Sequence, residues 1–161
     1  MFDNEIVIND FQLRMLARIA ADIPEAQLFQ PGAGHGHPPA WILGHLAICG
    51  EIGQKFLGGK VVHPRWLVLF GPGSQDRIAE DVSLTHAILT QANTDAYAQF
   101  RELAAHADAQ RLQAPHGVEL LKGSGIDTVG QLITHLLTSH FATHLAQLSS
   151  CRRTEGHKAL F

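Results

Sequence analysis

A chain of 161 residues has room for one domain with its own core and is short for two, so residues 1–161 are expected to form a single domain. Hydrophobic residues at 45% and charged residues at 17% describe a folded globular protein and exclude a disordered one. A net charge of -3 without a dense Lys/Arg stripe lacks the footprint that phosphate-backbone binding requires, so no nucleic acid partner is expected.

The opening MFDNEIVIND has neither a basic n-region nor an apolar h-region, and no apolar run approaches the ~18 residues of a membrane span. The expectation is a cytoplasmic protein with no membrane association. Cys49 and Cys151 are far apart and do not make a secreted disulfide framework, so both are expected as reduced thiols.

In chain order, the first helix is expected to start at an Asn9/Asp10 cap and to run to about Ala21. Phe11, Met15, Ile19 and Ile23 repeat at i, i+4 on one face, and Pro24 closes the segment. QPGAGHGHPP (30–39), with three glycines and three prolines, is a loop that delivers the chain to a second helix over Pro39 to Leu57. The inward stripe of that helix is Trp41, His45, Ile48, Cys49, Ile52 and Phe56, and Gly58-Gly59 ends it. A long connection follows to about Asp81. It contains RWLVLFGPGSQD, whose apolar run is expected to pack against the bundle, and its length permits a crossover.

Ser83 is the expected cap of a third helix reaching about Ala107, supported by Leu84, Ile88, Tyr97, Phe100 and Leu103. A loop covers Asp108 to Gly125. The fourth helix has the clearest start signal, a T-x-x-Q capping box at Thr128 and Gln131, and carries the stripe Ile133, Leu136, Leu137, His140, His144, Leu148. Nothing outside WLVLF is strand-like, so the fold class is all-α, a four-helix bundle.

Eleven histidines nearly equal all Lys and Arg together, and their positions matter more than their number. His140 and His144, four apart on a helix, point the same way with about 6 Å of rise between them, the spacing at which two imidazoles share one ion. They continue an apolar stripe, where an unpaired ring nitrogen is costly to bury. Alone the pair is a weak signal. His45, on the inward face of another helix, strengthens it, because metal sites in bundles are built from facing helices.

HPPAWILGHLAI (37–48), followed far downstream by HLLTSHFATHLAQL (135–148), resembles the DinB/YfiT-like superfamily of metal-dependent enzymes. In that family a W-x-x-x-H segment on helix two supplies one ligand and an H-x-x-x-H-x-x-Q segment on helix four supplies two, here Trp41/His45 and His140/His144/Gln147. The resemblance implies an up-down-down-up bundle, one three-histidine site at His45, His140 and His144 with open coordination positions, and a homodimer. FGPGS (70–74) is similar to the family's long connection. His37 stands where family members often have Asn, and Ala146 where Gly is common.

The other candidates have plainer readings. Cys49, one turn after His45, could close the site as a fourth ligand, but a small buried hydrophobe is the ordinary role of a free helix Cys. Gln147 could hydrogen-bond a ligand histidine or pack at a helix edge. Glu51 points away from His45, and a solvated or partner-facing role is expected. His135 is expected on a different face from His140, at the surface or an interface. His35, His63, His86, His106, His116 and His157 are expected in loops or on exposed faces, and the glycines of GAGHG and KGSG match no nucleotide-binding fingerprint.

Two function classes follow. The first is an enzyme in which one divalent metal, zinc ahead of nickel or iron, leaves positions free for water or a thiolate. From the resemblance, transferase or isomerase chemistry with a low-molecular-weight thiol cosubstrate and a small-molecule substrate leads, ahead of hydrolysis. The second is a non-catalytic metal-binding stress-response protein. No general acid or base can be named.

Overall fold

The computed structural model describes residues 1–32, 34–75, 78, 81, 83–158 and 160. It is all-α: α1 (Asp3–Ala21), α2 (Pro39–Phe56), α3 (Trp66–Phe70), α4 (His86–Ala105), α5 (Ala109–Gln113), α6 (Val129–Leu137) and α7 (Ser139–Thr154), with no strand among the described residues. Among the described residues no helix is long and apolar enough to cross a membrane.

The core runs between α1, α2, α4 and the α6–α7 pair, one hydrophobic cluster from Phe2 to Cys151. Helix α2 is buried on nearly every side, as its almost uninterrupted apolar sequence dictates. It packs most extensively on α4, and it also touches α3, α6 and α7, while α1 lies against α4, α6 and α7. Two glycines permit these approaches: a Cβ on Gly44 would stand 2.5 Å from the Phe70 ring, and one on Gly53 would collide with Phe100. Asn93 Nδ2 donates to the Leu43 carbonyl and Gln54 Nε2 to the Ala96 carbonyl, each at 2.8 Å, tying α2 to α4.

Several boundaries differ from the sequence expectation. Helix α1 begins at Asp3, six residues before the expected cap, and its buried positions are Asn9, Gln12, Leu16, Ile19 and Ala20. Phe11 is exposed. The cap of α4 is Thr85, whose hydroxyl accepts from the Ile88 amide, whereas Ser83 instead bonds Asp81. WLVLF is a single helical turn and a half, with Phe70 buried, Trp66 half-buried against the core, and Leu67, Val68 and Leu69 exposed, so only its two ends pack inward. The 108–125 loop contains α5, capped by the Asp108 side chain, and a 3-10 turn at Glu119–Leu121.

The expected fourth helix exists, with both halves of the Thr128/Gln131 capping box formed, but it is broken. Thr138 sits at φ -123°, ψ -87°, outside helical geometry, and separates α6 from α7. Helix α1 holds the break: Asn9 Nδ2 donates to the Leu137 carbonyl at 3.0 Å and Gln12 Nε2 to the Thr138 carbonyl at 3.3 Å. Buried polar groups need partners, and this long-range pairing is why Asn9 is a core residue and not a cap.

Candidate metal centre

Helix α2 carries His45 and Cys49 one turn apart, and α7 carries His140 and His144 one turn apart. The packing of α2 on α7 brings the four side chains together. His45 Nε2 lies 3.2 Å from His140 Nε2, and Cys49 Sγ lies 3.5 Å from the first and 3.8 Å from the second. The ring of His144 adjoins both, with centroids 4.5 Å from His45 and 4.7 Å from His140.

These separations suit one ion. With Zn–N near 2.0–2.1 Å and Zn–S near 2.3 Å, a tetrahedral centre holds two nitrogens about 3.3 Å apart and a nitrogen and a sulfur about 3.6 Å apart. Donor atoms of His45, Cys49 and His140 all lie within 4.8 Å of one another, which makes this trio the tightest part of the cluster. The proximity of Cys49 departs from the packing role its sequence context suggested. An i, i+4 spacing from His45 on a buried helix was the available signal.

Hydrogen bonds orient two of the imidazoles. His45 Nδ1 donates to the Phe70 carbonyl at 2.6 Å, so the lone pair is on Nε2, facing the cluster. His144 Nδ1 pairs with Gln147 Oε1 at 2.8 Å, again leaving Nε2 as the lone-pair atom. His140 Nδ1 is buried with no hydrogen-bond partner among the described residues.

Electrostatics keep these rings neutral. Burial pushes His140 down to about 2, aided by His144, His45 and His135, and pushes His144 down to about 4, aided by His45 and partly offset by the Gln147 bond. His45 is lowered by burial as well, against the opposing Phe70 bond. Burial raises the Cys49 thiol to about 12. Three neutral imidazoles at neutral pH are the protonation state that metal ligation needs, while the thiol requires a nearby cation before it ionises.

Aromatic contacts wall the site. Trp41 stacks on His45 at 4.5 Å and 9°, His37 stacks on Trp41 at 4.2 Å and 12°, and Trp41 Nε1 donates to Ser74 Oγ at 3.1 Å. The FGPGS segment therefore supplies two anchors, Phe70 to a histidine and Ser74 to its tryptophan. His37 belongs to the stack beside Trp41.

The break at Thr138 changes one further expectation. His135 faces the same cavity as His140, its ring 5.6 Å away and edge-on, and its Nδ1 pairs with Ser139 Oγ at 2.8 Å. On one unbroken helix, a separation of five residues would turn the two rings well apart. Glu51 also departs from the expectation of a solvated or partner-facing side chain. It is buried, not solvated, and accepts from the amides of Val62 and His63 at 2.8 and 2.9 Å and contacts His63 Nδ1 at 2.5 Å. It thereby pins the start of the connection onto α2, and His63 gains a structural role that sequence reasoning missed.

An all-α chain with one buried and two half-buried histidines and a buried cysteine converging from two helices has the architecture of a metal-binding helical protein. The family model of the DinB superfamily matches residues 9–148, and the chain belongs to that superfamily. Family and cluster together fit a metal-binding DinB-like protein. No curated protein matches the chain.

Proposed function

We propose that this single-domain protein is a metal-dependent enzyme of thiol-transferase or isomerase type, with one divalent ion, zinc, held by His45, His140 and His144. The observation that carries the reading is the 3.2 Å approach of two Nε2 atoms from different helices, with the Phe70 carbonyl fixing the tautomer of one. A divalent ion there supplies Lewis acidity that lowers the pKa of a thiol or water at its open positions. The chain's own residues do the rest: Gln147 and Phe70 orient the rings, and Trp41 shields His45 on one face.

A second reading rests on a specific observation. Cys49 Sγ stands at ligand-like distances from both Nε2 atoms, and as a fourth donor it would close the site and favour a non-catalytic metal protein. Cobalt-substituted protein separates the two. Sulfur-to-cobalt charge-transfer absorption that arises only on adding a small thiol, and persists in Cys49→Ser, supports the open site. Absorption without added thiol that Cys49→Ser removes supports the closed one.

We also propose the up-down-down-up order for the bundle and a homodimer in the cytoplasm. Exposed Val68, Leu67 and Leu69 on α3, together with Val7, Ile8 and Phe11 on α1, are apolar surface that a second copy would cover. Sedimentation at micromolar concentration tests this, and a monomer contradicts it.

A further inference from the structure

The histidines form one end of a cavity of about 340 Å³, far larger than an ion and a water need and at the small end of the ligand-pocket range of about 300–1,000 Å³. Away from the metal end its walls are Ile52 and Phe56 of α2, Val118 and Leu121 of the segment between α5 and α6, and Leu132 and Leu136 of α6. Among the described residues no Asp, Glu, Lys or Arg lines it. The polar side-chain atoms that do belong to Cys49, the three histidines of the cluster, His135 and Trp41. The last two are already paired, with Ser139 and Ser74.

A charged group entering such a space gives up its hydration and meets no counter-charge, whereas hydrocarbon entering it gains about 25 cal/mol for each Å² removed from water. Ile52 and Phe56 are only half-buried, and Leu120 at the cavity edge is 73% exposed, so apolar surface is left for a ligand to cover.

We propose that this cavity takes an uncharged, predominantly apolar small molecule, aromatic or branched-aliphatic in its body, with one reactive or ligating group directed at the histidines. The orientation of that group rests on the metal-centre reading. The selection against charge follows from the walls alone. On this account an acidic or basic cosubstrate keeps its charged groups outside the cavity.

Isothermal titration calorimetry with three naphthalene ligands tests it: naphthalene-2-methanol, naphthalene-2-carboxylate and the naphthalen-2-ylmethyl-trimethylammonium cation. Each is titrated into zinc-loaded and EDTA-treated protein, because the carboxylate can ligate an ion directly while the cation cannot. The alcohol should bind at least tenfold more tightly than either ion to EDTA-treated protein, and tenfold more tightly than the cation to loaded protein, with a negative heat-capacity change. Ile52→Glu should weaken the alcohol tenfold or more and strengthen the cation. Leu120→Glu, at an exposed position that folding tolerates, should shift both ligands the same way.

Either ion matching the alcohol on EDTA-treated protein, the cation matching it on loaded protein, or ligand preferences unmoved by both variants would overturn the proposal. Failure of the metal reading is visible separately, as absence of retained zinc with the alcohol preference intact.

Discussion

The Nδ1–H of His45 donates to the carbonyl oxygen of Phe70 across 2.6 Å, a bond that joins α2 to the connection following it and decides which ring nitrogen is left for a metal. Long-range proton–nitrogen NMR should therefore find His45 in the Nδ1–H form, with or without metal. Gly44→Ala should disturb it, because the new Cβ meets the Phe70 ring at 2.5 Å. Metal affinity should fall by about 10–100-fold, the usual cost of losing a group that orients a ligand. Unchanged affinity in that variant would remove Phe70 from the account.

Gln147 does the same for His144 from one turn along α7, at 2.8 Å. Gln147→Leu keeps the volume and removes the acceptor, and should weaken metal binding by about tenfold or more with little change in folding stability. Competition with a chelating dye measures the first, and a thermal melt of metal-free protein the second.

Asn9 is fully buried and bonds both the Leu137 carbonyl and Arg101, so it links α1 to the helix break and to α4. Asn9→Leu leaves the buried Leu137 carbonyl without its donor and Arg101 with Asp10 alone, and should cost about 1–3 kcal/mol in urea denaturation. Because the break sets where α7 begins, metal affinity should fall as well. A stability loss with fully retained affinity would mean that α7 keeps its position without this bond.

Acid should destabilise the metal-free protein. His140 and His144 are held down to about 2 and about 4 from an ordinary 6.5, so the unfolded chain takes up these protons first as pH falls. Their contribution is present above 6.5 and is lost as pH drops towards the folded values, by up to about 1.4 kcal/mol per pH unit for each proton. Urea melts at several pH values between about 7.5 and 4.5, spanning the ordinary histidine value, should show this slope, and His140→Ala should flatten it. A pH-independent melt would contradict the buried neutral rings.

The helices were legible in sequence wherever local signals decide them. The Thr128/Gln131 box, Pro39 at the start of α2 and the inward position of His45 all stand as expected. The break at Thr138 was not legible, because it depends on Asn9 and Gln12, more than 120 residues away in sequence. Periodicity places His135 on another face for that reason, since it assumes an unbroken helix. Glu51 reads as solvated from sequence because its partners lie in a connection without periodicity. Cys49 had the right spacing from His45, yet spacing alone does not separate a ligand from a core thiol.

The proposed metal centre holds one ion at His45, His140 and His144. Elemental analysis of protein purified without an affinity tag, dialysed against a weak chelator, tests it most directly. Wild type should retain about one divalent ion per chain, as a single cluster of donors from two helices can close only one site. His45→Ala and the His140→Ala/His144→Ala double variant should retain almost none while remaining helical by circular dichroism. Full occupancy in the double variant, or none in wild type after reconstitution with zinc, nickel or iron, would contradict the account.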